Sequence, residues 1–308
     1  VGGKCLLTMS SRERGGMPLW GIVLALSACL VSGGTGQAAD SRSFVTSDGT
    51  RLHYLEAGPA EARTVLFVPG WTMPAWIFDR QIAALEARFH VLALDPRGQG
   101  QSEVAPHGYA HLRRGRDVAE LIERAGSGRV VLVGWSLGVL DSLAMLAAEG
   151  DGRLAGLVLI DNSIGEEPAP AARPGRRSGL DGHDPAARAG RRAAFVAGLF
   201  ARDPGADYRA RLTADALRMS PEQEQALLSY DVPRRFWRDA VHSTDRPVLY
   251  VVRPRWRAQG ETLIGSHADA EMTVFDQAGH ALFVDEPERF NSLLTDFLER
   301  RAAWEPQA

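Results

Sequence analysis

Residues 129–138 read Arg129-Val130-Val131-Leu132-Val133-Gly134-Trp135-Ser136-Leu137-Gly138. The apolar run over 129–133 predicts a short buried strand. Residues 139–149 predict a helix that stops at Gly150. The pattern G-x-S-x-G at 134–138 therefore falls on a strand-to-helix turn, the setting in which a serine can be presented as a nucleophile on a sharp elbow. Gly134 and Gly138 allow the two backbones to pass closely while the Ser136 hydroxyl projects out. The helix behind points its N-terminus at the site, which favours negative charge there.

The flanking sequence repeats the alternation. Residues 44–57 predict a hairpin about the turn Asp48-Gly49. Residues 64–68 predict a buried strand that runs into Pro69-Gly70-Trp71, followed by a helix over 76–88. Residues 90–94 predict the next strand, then a helix over 111–125 leads to the strand before Ser136. Residues 154–160 form another apolar run, ending at Asp161-Asn162. Strands alternating with helices and nearly continuous in Val, Leu and Ile predict an α/β fold whose mostly parallel sheet is covered on both faces.

The alternation breaks at about residue 162. Residues 166–185 are rich in Pro, Gly, Ala and Arg and read as a loop; 186–200, 206–219 and 221–229 read as helices. Ser220-Pro221-Glu222-Gln223 is a helix start, with Ser as cap and Pro at the first helical position. Strands resume at 247–252 and 271–275, and a last helix runs over 287–303. The expected organisation is a core of residues 40–161 and 247–308, with residues 162–246 inserted as a helical cap over the carboxyl ends of the strands, where ligands bind in open α/β sheets.

Residues 1–39 read as targeting sequence. The apolar run over 17–31 has signal-peptide length and is short for a membrane span. Gly36-Gln37-Ala38-Ala39 suits signal peptidase, whereas Leu26-Ser27-Ala28-Cys29 resembles a bacterial lipobox and implies a lipid anchor at Cys29. Both exits stay open, and an uncleaved anchor is the third reading. The expected location is outside the cytoplasm: periplasmic, secreted or lipid-anchored.

Among 308 residues, 45% are apolar and 24% charged, and the net charge of -3 argues against a nucleic-acid partner. Lys4 is the only lysine. Cys5 and Cys29 are the only cysteines, so the body of the chain offers neither disulfide nor thiol chemistry, and no Cys/His cluster has zinc spacing. No metal or other cofactor is expected. Chemistry must come from Ser, His, Asp and Glu.

A serine hydroxyl needs a base to take its proton. His280 follows a strand and a glycine and opens the loop before the last helix, whereas His53, His107, His183, His242 and His267 fall in hairpin, loop or cap contexts. A tetrahedral oxyanion needs two donors. The backbone N–H of Leu137, just after Ser136, is one candidate, and that of Trp71, in the loop after residues 64–68, is the other.

These residues resemble the α/β-hydrolase superfamily over residues 44–303. The resemblance is carried by GWSLG at 134–138, DPRGQGQS at 95–102 and AGHALFVDEPERF at 278–290. It implies an eight-stranded sheet, a serine triad, no cofactor, and hydrolysis of esters or related bonds on a small-molecule substrate. It also implies that residues 95–102 are a structural turn. Ser136 sets the chain apart from members that use an aspartate nucleophile. Two departures stand out. Pro69 occupies a position where the family commonly has His, and residues 251–256 after the seventh strand offer no carboxylate where the family usually carries its triad acid. Asp161, at the end of the strand over 154–160, is the expected acid, an arrangement resembling some family members. It keeps the chain order Ser, Asp, His. Glu261, Asp269 and Asp276 are the rivals.

Three functions fit this reading: an exported ester hydrolase; other serine-triad chemistry on the same fold, such as C–C bond hydrolysis or cofactor-free perhydrolysis; and a binding protein that kept the fold. Trp71, Trp76, Phe78 and Trp135 cluster near the expected site and point to an apolar acyl or aromatic pocket, with core packing an equal account of Phe78 and Trp76. Six arginines over 173–192 either steer anions or coat a solvated loop.

Overall fold

The computed structural model of the protein describes residues 39–169 and 184–304. Residues 1–38, with Cys29 and all of the two processing sites except Ala39, lie outside these residues, as does most of the arginine-rich stretch.

Eight strands form one sheet: β1 (Asp40–Val45), β2 (Arg51–Ala57), β3 (Thr64–Val68), β4 (His90–Asp95), β5 (Val130–Trp135), β6 (Leu154–Ile160), β7 (Val248–Val252) and β8 (Ala270–Val274). Their spatial order is β1-β2-β4-β3-β5-β6-β7-β8. β2 runs antiparallel to both neighbours and every other pair is parallel. The expected mostly parallel eight-stranded sheet is therefore present. Strands β3 to β7 are buried along their whole length, as sandwiching between helices requires.

Side-chain alternation splits the core in two. Leu66, Val68, Leu92, Leu132 and Leu157 point to the face covered by α2 (His111–Arg124) and α3 (Leu137–Glu149). Val65, Phe67, Val91, Val133 and Val158 point to the face covered by α1 (Asp79–Leu85) and by α10 (Pro287–Arg300), the last helix of the chain. Where residues 76–88 predicted one helix, the structure has a 3₁₀ turn at Ala75–Phe78 and then the shorter α1. Pro74 caps the turn in extended conformation, and the backbone N–H of Ala75 is taken by the Asp95 carboxylate at 2.5 Å.

Between β6 and β7 the described residues hold helices only: α4 (Pro185–Ala197), α5 (Ala206–Asp215), α6 (Pro221–Ala226) and α7 (Arg235–Val241). Ser220 and Gln223 form a reciprocal capping box at the start of α6. The first three helices and the links after them meet loops at the carboxyl ends of strands. Trp71 after β3 donates its indole N–H to the Glu224 carbonyl, and Ala281 N–H after β8 donates to the Leu199 carbonyl at 2.8 Å. The sequence reading passed over α7. It packs on α3 through Trp237, Ala240 and Val241, so it belongs to the layer on the sheet. Seven residues without a capping side chain give too little periodicity to detect. Beyond β7 lie α8 (Arg257–Ser266) and, after β8, the single turn α9 (Leu282–Asp285).

The α2–α3 contact carries a buried ion pair. Arg114 Nε donates to Asp141 Oδ1 at 2.8 Å with both side chains 2% exposed, and burial pushes the Asp141 carboxyl above its ordinary value even beside the Arg114 charge. Arg114→Met would leave Asp141 without that partner. The expected cost is about 3–5 kcal/mol at alkaline pH. Because Asp141 binds its proton more tightly folded than unfolded, stability falls as pH rises above the ordinary carboxylate range. The deficit should therefore shrink in mildly acidic urea titrations.

Candidate active site

Ser136 is the single residue between β5 and α3, and its backbone is left-handed, with φ 55° and ψ -116°. The compression behind it is visible at Gly138, where an added Cβ would lie 2.1 Å from the Val68 carbonyl oxygen. No other side chain fits against the end of β3. The Ser136 N–H donates to the Ile160 carbonyl at 2.9 Å, and its carbonyl accepts from the Asn162 side-chain amide at 2.7 Å. Both ends of the serine's peptide frame are thus tied to the end of β6.

His280 lies in the loop between β8 and α9. The Gly279 N–H is held by the Asp285 carboxylate at 2.7 Å, and the His280 carbonyl accepts the Trp135 indole N–H at 2.8 Å. The Trp135 ring also lies beside the imidazole, with centroids 5.2 Å apart. His280 Nε2 is 2.8 Å from Ser136 Oγ, and Nδ1 is 2.6 Å from Asp161 Oδ2.

Asp161 follows the last residue of β6 with φ 50°, and its side chain is fully buried. Its N–H donates to the Val251 carbonyl at 2.9 Å. Oδ1 accepts the Arg253 N–H at 3.0 Å, while Oδ2 accepts both His280 Nδ1 and Arg253 Nε, each at 2.6 Å. Burial alone would raise the Asp161 pKa. The hydrogen bond and charge of His280 and the charge and N–H of Arg253 outweigh it, and the carboxyl sits below its ordinary range. An ionised Asp161 claims the proton on Nδ1, so Nε2 is left bare to accept from the serine hydroxyl.

The structure thus brings Ser136, His280 and Asp161 into one hydrogen-bonded chain. The rival carboxylates lie elsewhere. Asp276 is exposed and pairs with Arg257, Asp269 pairs with Arg301, and Glu261 lies exposed on α8.

The two proposed oxyanion donors flank the serine. Leu137 opens α3, so its N–H has no intrahelical acceptor. Trp71 sits in the loop after β3, where a Cβ added at the adjacent Gly70 would come within 2.9 Å of the Ser136 Cβ. Neither N–H is spent on a backbone partner among the described residues. Gln99 holds this loop: its Oε1 accepts the Thr72 N–H at 2.5 Å and its Nε2 donates to the Gly70 and Met73 carbonyls at 3.2 and 3.3 Å. Thr72 itself is left-handed at φ 61°. Thr72, Ser136 and Asp161 are the three non-glycine residues with positive φ among the described residues, and all three border the site.

Sequence reasoning passed over Gln99, Asn162 and Arg253. Gln99 lies inside the DPRGQGQS stretch expected to be a structural turn, Asn162 directly follows the expected acid, and Arg253 lies in a stretch marked in the sequence only by its lack of a carboxylate. The aromatic cluster resolves toward the core. Phe78 stacks on Phe283, Trp135 is 1% exposed, and Trp76 gives its indole N–H to Asp215 beneath the Arg211 guanidinium. Trp71 alone of the four stays partly exposed, with Arg192 stacked 4.4 Å over its ring. Arg188 and Arg192 both pair with Glu224, so neither is a free anion-steering charge.

A second Ser–His–Asp chain lies at the sheet edge: Ser41 Oγ to His53 Nε2, and His53 Nδ1 to Asp95 Oδ2, both at 2.7 Å. Ser41 is mid-strand with no helix behind it, and the Asp95 carboxylate also takes the backbone N–H groups of Ala75 and Gln101. This chain reads as a clip between strands.

The depressed Asp161 carboxyl makes a testable statement about stability. Its contribution is complete above the ordinary carboxylate pKa of about 4 and disappears as pH falls through the lowered folded value. The stability difference between the wild type and Asp161→Asn, from urea unfolding, should collapse as pH falls below that range.

A model of the alpha/beta hydrolase family matches residues 65–293. A protein of Variovorax paradoxus (strain S110) assigned as carbamate hydrolase RutD is 31% identical over 274 residues, covering 82% of this chain and 97% of that one. Among solved structures, a protein from Burkholderia cenocepacia assigned as an aryl esterase aligns with a TM-score of 0.74 at 26% identity, covering 84% of this chain and 98% of that one. The esterase RhEst1 from Rhodococcus sp. ECU1013 aligns with a TM-score of 0.74 at 25% identity, covering 85% and 99%.

Proposed function

The chain belongs to the alpha/beta hydrolase family, and on that footing we propose that it hydrolyses a carboxylic ester through an acyl-enzyme on Ser136. The observation that carries this is the hydrogen-bonded run from Ser136 Oγ through His280 to Asp161, at 2.8 and 2.6 Å.

In this reading Ser136 Oγ attacks the ester carbonyl as His280 Nε2 takes its proton. Asp161 stays ionised and stabilises the imidazolium through Nδ1–H. The carbonyl oxygen becomes an oxyanion between the N–H groups of Trp71 and Leu137, at the positive end of α3. Collapse expels the alcohol, which leaves with the proton from His280. A water molecule then loses a proton to His280, adds to the acyl carbonyl, and the acid departs as Ser136 recovers its hydrogen.

The nearly full-length likeness to a protein assigned as a carbamate hydrolase favours one second reading. The same steps would there cleave a carbamate, with a carbamoyl group on Ser136. Rates on matched p-nitrophenyl esters and N-substituted p-nitrophenyl carbamates decide between the two.

Ser136→Ala is expected to lower kcat by about 10⁶ with the fold intact, and Asp161→Asn by about 10⁴. A fluorophosphonate should label Ser136 and no other residue. A Ser136→Ala enzyme within tenfold of wild type on these esters would refute the proposal.

The export reading belongs to the same proposal. Intact mass of protein made with residues 1–39 in place should show loss of the leader up to about Ala39, or a lipid on Cys29; an unprocessed chain refutes both.

A further inference from the structure

Arg253, the residue after β7, approaches Asp161 with two donors, a backbone N–H on Oδ1 and Nε on Oδ2. Oδ2 is also the oxygen that takes His280 Nδ1, so guanidinium and imidazole share one acceptor atom. A terminal guanidinium nitrogen lies 3.4 Å from His280 Nδ1. That ring nitrogen already spends its proton on Asp161 and has no lone pair for Arg253. The contact therefore sets donor against donor, and it sets cation against cation once His280 has taken a proton. Asp161 is fully buried and Arg253 is a quarter exposed, so solvent screens this pair only in part.

Resting on the Ser136–His280–Asp161 reading, we propose that Arg253 is a positioning residue with two effects. It fixes the Asp161 carboxylate in line with Nδ1. Its charge opposes protonation of the resting imidazole, so that His280 can still accept the serine proton in mildly acidic solution. A guanidinium suits this role, since such a group offers a carboxylate several donors in a fixed planar fork.

The other charged and titratable groups around the imidazole are committed. Asp285 on α9 is held by the backbone N–H groups of Gly279, Ala201 and Arg202, and the Arg202 guanidinium donates to the Asp285 carbonyl. Asp276 pairs with Arg257 at the surface. Burial pushes the Tyr250 phenol well above its ordinary value, and its hydroxyl donates to the Asn162 carbonyl at 2.6 Å. Arg253 is the cation that reaches the imidazole in the described residues.

The test is the rate of covalent labelling of Ser136 by a fluorophosphonate as a function of pH. The full chain is used as wild type, Arg253→Gln, Arg253→Met and Arg253→Lys. No knowledge of the natural substrate is needed. In the neutral variants the acidic limb of the profile should move to higher pH by about one unit. Midway down the wild-type limb, that is a labelling rate lower by about fivefold, approaching tenfold further down the limb. Arg253→Lys keeps the charge and should leave the limb near its wild-type position. Gln and Met differ in polarity and length, so a folding failure of one leaves the other to decide. Neutral variants whose profiles superimpose on the wild type would overturn the role of Arg253 while leaving Ser136 a proven nucleophile. A wild type in which Ser136 is never labelled overturns both readings together.

Discussion

The site depends on how closely the first turn of α3 lies against the end of β3. At Gly138 the helix backbone presses on the Val68 carbonyl so tightly that no side chain can intervene. One residue must then reverse the chain from strand to helix, and Ser136 does so in a backbone conformation that L-residues avoid. Thr72 and Asp161 carry the same kind of strain in the neighbouring loops. Each such residue costs on the order of 1–3 kcal/mol. That cost is sustained by a sheet whose five central strands are buried throughout. Rigidity of the sheet is what lets three strained residues converge.

Polar groups are then placed by the same compression. The Ser136 peptide is bonded on both sides to residues at the end of β6, and Asp161 continues from that same strand end. The acid and the serine are therefore fixed to adjacent strands in parallel register. His280 comes from the far side on β8, and its loop is pinned by Asp285 and Trp135. Asp161 is satisfied on both oxygens, which explains how a fully buried carboxyl stays ionised.

Much of this was legible in the residues. The five buried strands show as unbroken apolar runs because both faces of the sheet are covered, and the G-x-S-x-G turn gives the elbow. Asp161 could be reached by asking which carboxylate stood at the correct sheet edge once residues 251–256 were seen to lack one. Two short elements were not legible: α7 and α9 are too brief to show a period and lack the capping box that announces the equally short α6. Nor were the supports of the site. Gln99, Asn162 and Arg253 act through contacts between residues far apart in the chain, and nothing in local spacing announces a glutamine that bonds 27 residues back. The tryptophans misled in part, since burial in a core and proximity to a pocket leave the same trace in composition.

Gln99 joins two regions that topology keeps apart. The turn it occupies is braced to the edge hairpin, where Ser102 Oγ accepts the His53 N–H at 2.8 Å and the Arg51 carbonyl accepts the Glu103 N–H at 2.9 Å. Its side chain reaches the loop that offers Trp71 to the serine. One glutamine side chain thereby gives the loop that offers Trp71 and the outer hairpin a shared anchor, so the geometry beside Ser136 rests in part on strands that carry none of the reacting groups.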